Sequence, residues 1–268
     1  MTAARIETGV RERSKWRVVA LPSEHGGWGL TFEPVLLGLL LAWSGAGVAL
    51  GVTAFAAFLV RTPLKLAAVD HRRGRWLDRS ALAVRIALAE MVVIAVNVAV
   101  AISLSGWRWS VPILIAVPFV ALELSYEVRS RGRRIVPELC GAIGISAVSA
   151  SIVVAGGGSS ALAAAAWTVL AARAVGSIPF VRTQILRLRR GSASTWPSDV
   201  AQAVSVVLGL GAVVVDERLE LGAAAVVVLA LAQVVWLRRD PMPAKQLGLR
   251  QMAIGIGLVA MAALGVRW

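Results

Sequence analysis

Apolar residues run along this chain in nine stretches, each near the roughly 20 residues that a helix needs to cross about 30 Å of hydrocarbon. The pattern predicts helices at about Gly27 to Trp43, Ala46 to Val60, Ala81 to Leu104, Val111 to Tyr126 and Pro137 to Val154. Four more follow at Ala161 to Phe180, Val200 to Val215, Leu219 to Leu237 and Leu249 to Val266. Alternate connections differ in kind. One set is short and glycine-rich or acidic: Ser44-Gly45-Ala46-Gly47, Gly156-Gly157-Gly158-Ser159-Ser160 and Asp216-Glu217-Arg218. The other set is longer, basic, and carries prolines, tryptophans and carboxylates, so any chemistry is expected on that side.

Charge gives the pattern a direction. Twenty-three of the 28 lysines and arginines fall into five clusters, before the first stretch and after the second, fourth, sixth and eighth. Because Lys and Arg in short loops stay cytoplasmic during insertion, this parity predicts a cytoplasmic amino terminus and, with nine spans, an extracytoplasmic carboxyl terminus. The chain of 268 residues is 58% apolar and only 16% charged, with a mean hydropathy of +0.76. Such a composition fits an all-α, polytopic membrane helix bundle, not a water-soluble domain.

A net charge of +13 raises nucleic-acid binding as an alternative, but the charges lie between membrane-length runs and no nucleic-acid module is visible. They are expected to hold the loops against an anionic leaflet, which makes the lipid bilayer the first partner. Residues 1–20 read as a cytoplasmic basic arm with no apolar signal core, and residues 21–268 as one transmembrane domain. Cys140 is the single cysteine and His25 and His71 the two histidines, which excludes an internal disulfide, a thiolate cage and a multi-histidine metal site. No nucleotide-binding glycine loop or hydrolase triad is present.

Three groups of residues stand out. Pro22-Ser23-Glu24-His25-Gly26-Gly27-Trp28 pairs a carboxylate with an imidazole beside two glycines, which suits proton transfer by Glu24 and His25 next to a closely approaching ligand. A helix cap with an interfacial tryptophan is the plainer reading. Glu33, Arg85, Glu90, Glu123 and Arg173 lie within spans, where a charge costs several kcal/mol and must find a partner or an aqueous cavity. An internal ion pair such as Glu33 with Arg173 is one expectation. Glu123, Tyr126 and Glu127 share a helix face by their spacing. They precede Arg129, Arg131, Arg133 and Arg134, whose forked donors suit oxyanions.

Two basic segments resemble one another. Phe58-Leu59-Val60-Arg61-Thr62-Pro63-Leu64-Lys65-Leu66 matches Phe180-Val181-Arg182-Thr183-Gln184-Ile185-Leu186-Arg187-Leu188 in pattern. Each ends an apolar stretch, which suggests two related halves around a shared site. Arg61, Lys65, Tyr126, Arg131, Arg182 and Arg187 are therefore the candidate ligand-binding residues. Trp28, Trp76, Trp107, Trp109, Trp196 and Trp236 fall near predicted helix ends, where an interfacial belt accounts for most of them.

The Pro22 to Trp28 motif together with Arg61-Thr62-Pro63-Leu64-Lys65 resembles the YwiC-like family of bacterial membrane proteins. More distantly, nine helices, long second-to-third and sixth-to-seventh inner loops, and Tyr126, Arg131, Pro137-Glu138 and Gly141 are similar to the UbiA superfamily of intramembrane prenyltransferases. That resemblance implies a bundle with a site for a prenyl diphosphate and Mg²⁺ held by aspartate-rich motifs. Here those stretches carry Arg61 to Lys65 and Arg182 to Arg187 instead, with only Asp70 and Asp78 near the first and no acid after the second until Asp199. Cations in those places would repel a metal. The expectation is a cytoplasm-facing site for an anionic or isoprenoid amphiphile without metal-dependent prenyl transfer. The alternative is a proton-coupled transporter using Glu33, Glu90 and Arg173.

Overall fold

The computed structural model describes residues 16–22, 25–74, 77–128 and 134–267. Among the described residues, nine helices follow a short helical turn at residues 16–20. They are α1 (His25–Leu41), α2 (Gly45–Arg72), α3 (Asp78–Ser105), α4 (Ser110–Val128), α5 (Ile135–Ala155), α6 (Ser160–Arg190), α7 (Trp196–Val215), α8 (Glu220–Leu237) and α9 (Ala244–Arg267). Among the described residues, α2 to α9 are long and apolar enough to cross a membrane, while α1 offers a shorter apolar stretch, Gly27–Leu41. The protein is a multi-pass membrane helix bundle.

Local sequence explains where helices start and stop. Ser44 and Ser159 cap α2 and α6, their hydroxyl oxygens accepting from Gly47 N at 2.9 Å and Leu162 N at 3.1 Å. Gly106 and Gly191 close α3 and α6 with φ of +70° and +77°, a conformation that costs glycine little.

Two helices overrun the predicted stretches. Arg61 to Lys65 and Arg182 to Arg187 were expected in connections, yet α2 continues to Arg72 and α6 to Arg190. Charge and Pro63 mark a boundary in the sequence, but charge is compatible with helix, and a proline, costly in a soluble helix, is tolerated in a membrane helix whose freed backbone groups find other partners. The α2 extension is then pinned to α3. Asp70, 2% exposed, accepts from Arg79 Nε at 3.0 Å, Arg79 Nη2 at 2.8 Å and Ser80 Oγ at 2.8 Å.

α5 sits at the centre, packed against α1, α2, α4 and α6. From α6 the chain continues through α7, α8 and α9, and α9 returns to α1. Small residues allow these helices to approach: Ala163, Ala165, Ala166 and Ala172 of α6 meet Leu37, Val153, Val226 and Val259. A second cluster joins Ala49, Leu50, Ala101, Trp109, Val148 and Ile152 at the end away from the basic segments. Leu88, Val92 and Val96 on α3 and Leu114 and Ile115 on α4 are exposed, as side chains facing lipid should be.

Candidate functional site

α2 and α4 flank a cavity of about 1210 Å³ backed by α1, α5, α6 and α9. Most of its wall is apolar, including Leu50, Ala54, Ala57, Val117, Val120 and Ile145. Its charged groups are Glu33, Arg61, Glu123, Glu138, Arg173, Arg182 and Arg189. Glu138 and Ser151 both line it from α5, and 13 residues of helix make the cavity roughly 20 Å long. It is larger than the roughly 300–1,000 Å³ of pockets for drug-sized ligands.

At the basic end α2 and α4 are clasped across the cavity. Arg61 Nη2 lies 2.7 Å from Glu123 Oε1 and 3.0 Å from Glu127 Oε2, and Lys65 Nζ lies 2.9 Å from Glu127 Oε1. Spacing of four on α4 puts both carboxylates in reach of one guanidinium. Gly141 of α5 makes room for this: a Cβ there would overlap the Glu123 carboxylate. Arg182 reaches Glu138 at 3.5 Å. Arg189 lines the same mouth and has no ion pair among the described residues.

Deeper in, Arg173 and Glu33 form a two-pronged pair. Arg173 Nε lies 2.8 Å from Glu33 Oε2, and Nη2 donates to Glu33 Oε1 at 2.8 Å and to the Gln251 carbonyl at 2.7 Å. Arg173 Nη1 donates to Ser177 Oγ at 3.2 Å. Gln233 links onward, donating to Ser177 Oγ at 3.2 Å and accepting from Gln202 Nε2 at 2.9 Å. Gly255 of α9 is required beside the pair, because a Cβ would overlap Glu33 Oε1 and Arg173 Nη2.

The expected residues divide accordingly. Glu33, Arg61, Glu123, Arg173 and Arg182 line one cavity. Lys65 belongs to the clasp at its edge, and Tyr126 is half-buried on α4 outside the lining. Arg187 turns to α8, donating to the carbonyls of Leu237 and, at 3.0 Å, Arg239, so it caps that helix. Glu90 lies on α3 outside the lining, its Oε2 buried without a partner among the described residues. Glu24, Arg131 and the His25 side chain lie outside the described residues. Gly27, from the same motif, serves packing: a Cβ there would overlap the Phe58 ring, which Trp28 meets edge-on at 5.2 Å.

Three lining residues escaped the sequence reading. Trp107, Trp43 and Trp196 are exposed as an interfacial belt requires, but Trp109 is 7% exposed and faces the bundle. Ser151 and Gln251 also line the cavity. Neutral polar residues scattered over separate helices give no local signal, and a helix-end tryptophan reads alike whether it turns in or out.

The Mg²⁺ that the prenyltransferase resemblance implies does not fit these side chains. Asp70 is engaged by Arg79, Asp199 by Arg238 at 3.1 Å, and Glu123, Glu127 and Glu138 by Arg61, Lys65 and Arg182. Among the described residues no three His, Cys, Asp or Glu side chains gather. The arrangement can instead hold an anion at guanidinium groups and an apolar chain behind it.

No curated protein and no solved structure matches the chain. The family model for YwiC-like proteins matches residues 21–155, half of the chain, which takes in α1 to α5 and with them the clasp, Glu33 and most of the cavity wall. The chain belongs to the YwiC-like family.

Proposed function

We propose that this protein is a bacterial cell-membrane protein that receives an anionic or isoprenoid amphiphile from the cytoplasmic leaflet. The chain of the ligand enters the cavity and its head group rests at Arg182 and Arg189, beside the Arg61 and Lys65 clasp. The basic end is then cytoplasmic, the carboxyl terminus extracytoplasmic, and residues 1–20 form a basic arm. Glu24 and His25 are then the candidates for proton transfer, and Tyr126 and Arg131 for contact with the head group. The bundle would share its architecture with UbiA-type enzymes while lacking their metal-dependent transfer.

The observation that carries this reading is the polarity of the cavity, about 1210 Å³ with a mostly apolar wall, Arg61, Arg182 and Arg189 at one end and the mutually neutralising Glu33 and Arg173 deeper in. Proton-coupled transport is the other reading, favoured by Glu33 and Arg173 in the cavity wall. It needs a second vestibule, whereas the Trp109, Val148 and Ile152 cluster stands at the far end, which supports the amphiphile.

Mass spectrometry of lipids retained by the purified protein tests the proposal. The expected result is an anionic or isoprenoid lipid enriched over the bulk membrane, and its loss from Ala57→Trp and from Arg182→Ala/Arg189→Ala proteins that keep their helicity. A lipid profile equal to the bulk and indifferent to these changes would overturn it.

A further inference from the structure

The far end of the cavity is its least charged part, yet two hydrogen-bonding groups there lack partners among the described residues. Trp109, in the link between α3 and α4, is 7% exposed and packs in one cluster with Ala101, Val148 and Ile152. Its Nε1–H has no acceptor among the described residues. Ser151 of α5 is 1% exposed and its Oγ is likewise unpartnered. Other serines of α5 behave differently: Ser146 Oγ donates to the Ala142 carbonyl at 2.7 Å and Ser149 Oγ to the Ser146 carbonyl at 2.8 Å. Both Trp109 and Ser151 line the cavity, and Ser151 stands about 20 Å along α5 from Glu138 at the mouth.

An indole N–H is a donor only, and a hydroxyl carries one donor hydrogen. Burying either in apolar surroundings is costly unless an acceptor arrives. Phenylalanine and alanine would fill the same space without that cost. The cavity thus carries arginines at its mouth and uncommitted hydrogen-bond donors at its far end.

We propose that the amphiphile carries a hydrogen-bond-accepting oxygen, of carbonyl type, at the end opposite its anionic group, and that Trp109 Nε1–H and Ser151 Oγ–H hold it. This rests on reading the cavity as an amphiphile site. The cavity would then select an oxygenated chain over a plain hydrocarbon or prenyl tail.

The test compares hexadecyl phosphate with the same chain ending in an aldehyde, in equilibrium binding to the full-length protein in detergent. The quantity read is the ratio of the two affinities, compared between native and variant protein so that the intrinsic cost of desolvating the carbonyl cancels. We expect this ratio to favour the aldehyde about tenfold more in the native protein than in Trp109→Phe/Ser151→Ala, as two modest hydrogen bonds would. Binding of hexadecyl phosphate should survive in that variant. Each single substitution should remove part of the preference, so a folding defect in one leaves the other informative. Hexadecyl phosphate binding with a ratio unchanged by the double substitution overturns this inference alone. Failure of the native protein to bind either probe overturns it together with the reading of the cavity.

Discussion

The molecule places guanidinium groups against carboxylates at two levels of one cavity, and the two arrangements have different physical consequences. Arg173 and Glu33 are each 5% exposed, joined by two contacts and enclosed by Gln251, Ser177 and Gly255. Arg61 and Lys65 are 41% and 58% exposed and share Glu123 and Glu127 at the rim. A buried pair gains little over well-packed apolar groups, yet removing one partner strands a charge. An exposed pair is screened, adds little stability and exchanges partners readily. The deep pair therefore locks α1, α6 and α9 together, while the rim pair is a clasp between α2 and α4 that can exchange partners.

The sharpest challenge to that distinction is Arg173→Met, expected to cost about 3–5 kcal/mol because it leaves Glu33 unpaired. Thermal unfolding in detergent should show Glu33→Leu/Arg173→Met recovering part of the loss. Equal losses in the single and double variants would mean the pair is not what holds α1 to α6. Next in size is Gly255→Ala, whose methyl would overlap both charged groups, at about 1–3 kcal/mol. Gly257→Ala, with open space around it, is its control and should be neutral or mildly stabilising.

At the rim, Arg61→Ala should change unfolding by less than about 1 kcal/mol, and a spin-label distance between α2 and α4 should broaden. A loss as large as that of Arg173→Met would erase the contrast between the two levels. The smallest effect belongs to the far side of the molecule. Arg218, hydrogen-bonded to Asp216 at 2.6 Å, holds that carboxyl below the usual aspartate range. A depressed folded-state pKa contributes stability that is present at neutral pH and lost as pH falls from the ordinary aspartate range through the depressed one. Native and Asp216→Asn proteins should accordingly differ slightly at pH 7 and converge in acid, as melting temperatures would show.

How far the sequence could be read depends on the range of the interaction. Helix positions were legible because lipid demands long apolar runs, and Glu33, Arg173 and Glu123 because charge in such runs demands a partner. Arg61 and Arg182 line one cavity, but their place on helix was not legible, since clustered charge, and at Arg61-Thr62-Pro63 a proline, resembles a loop when read locally. Arg187 was misleading for a different reason: four and five residues past Thr183 and Arg182, it lies on a face turned toward α8, which only the full packing of α6 determines. Trp109, Ser151 and Gln251 were invisible because their meaning comes from burial against other helices, not from neighbours in the chain.

On the proposed function, the space between α2 and α4 holds an amphiphile. A hexadecyl phosphate carrying a diazirine in its chain, photolysed with the protein in lipid nanodiscs and mapped by peptide mass spectrometry, tests this most directly. Adducts are expected on the cavity wall at Ala57, Val120 and Ile145, and their suppression by Ala57→Trp. Adducts confined to the lipid-facing residues Leu88, Val96 and Leu114, and indifferent to that substitution, would contradict it.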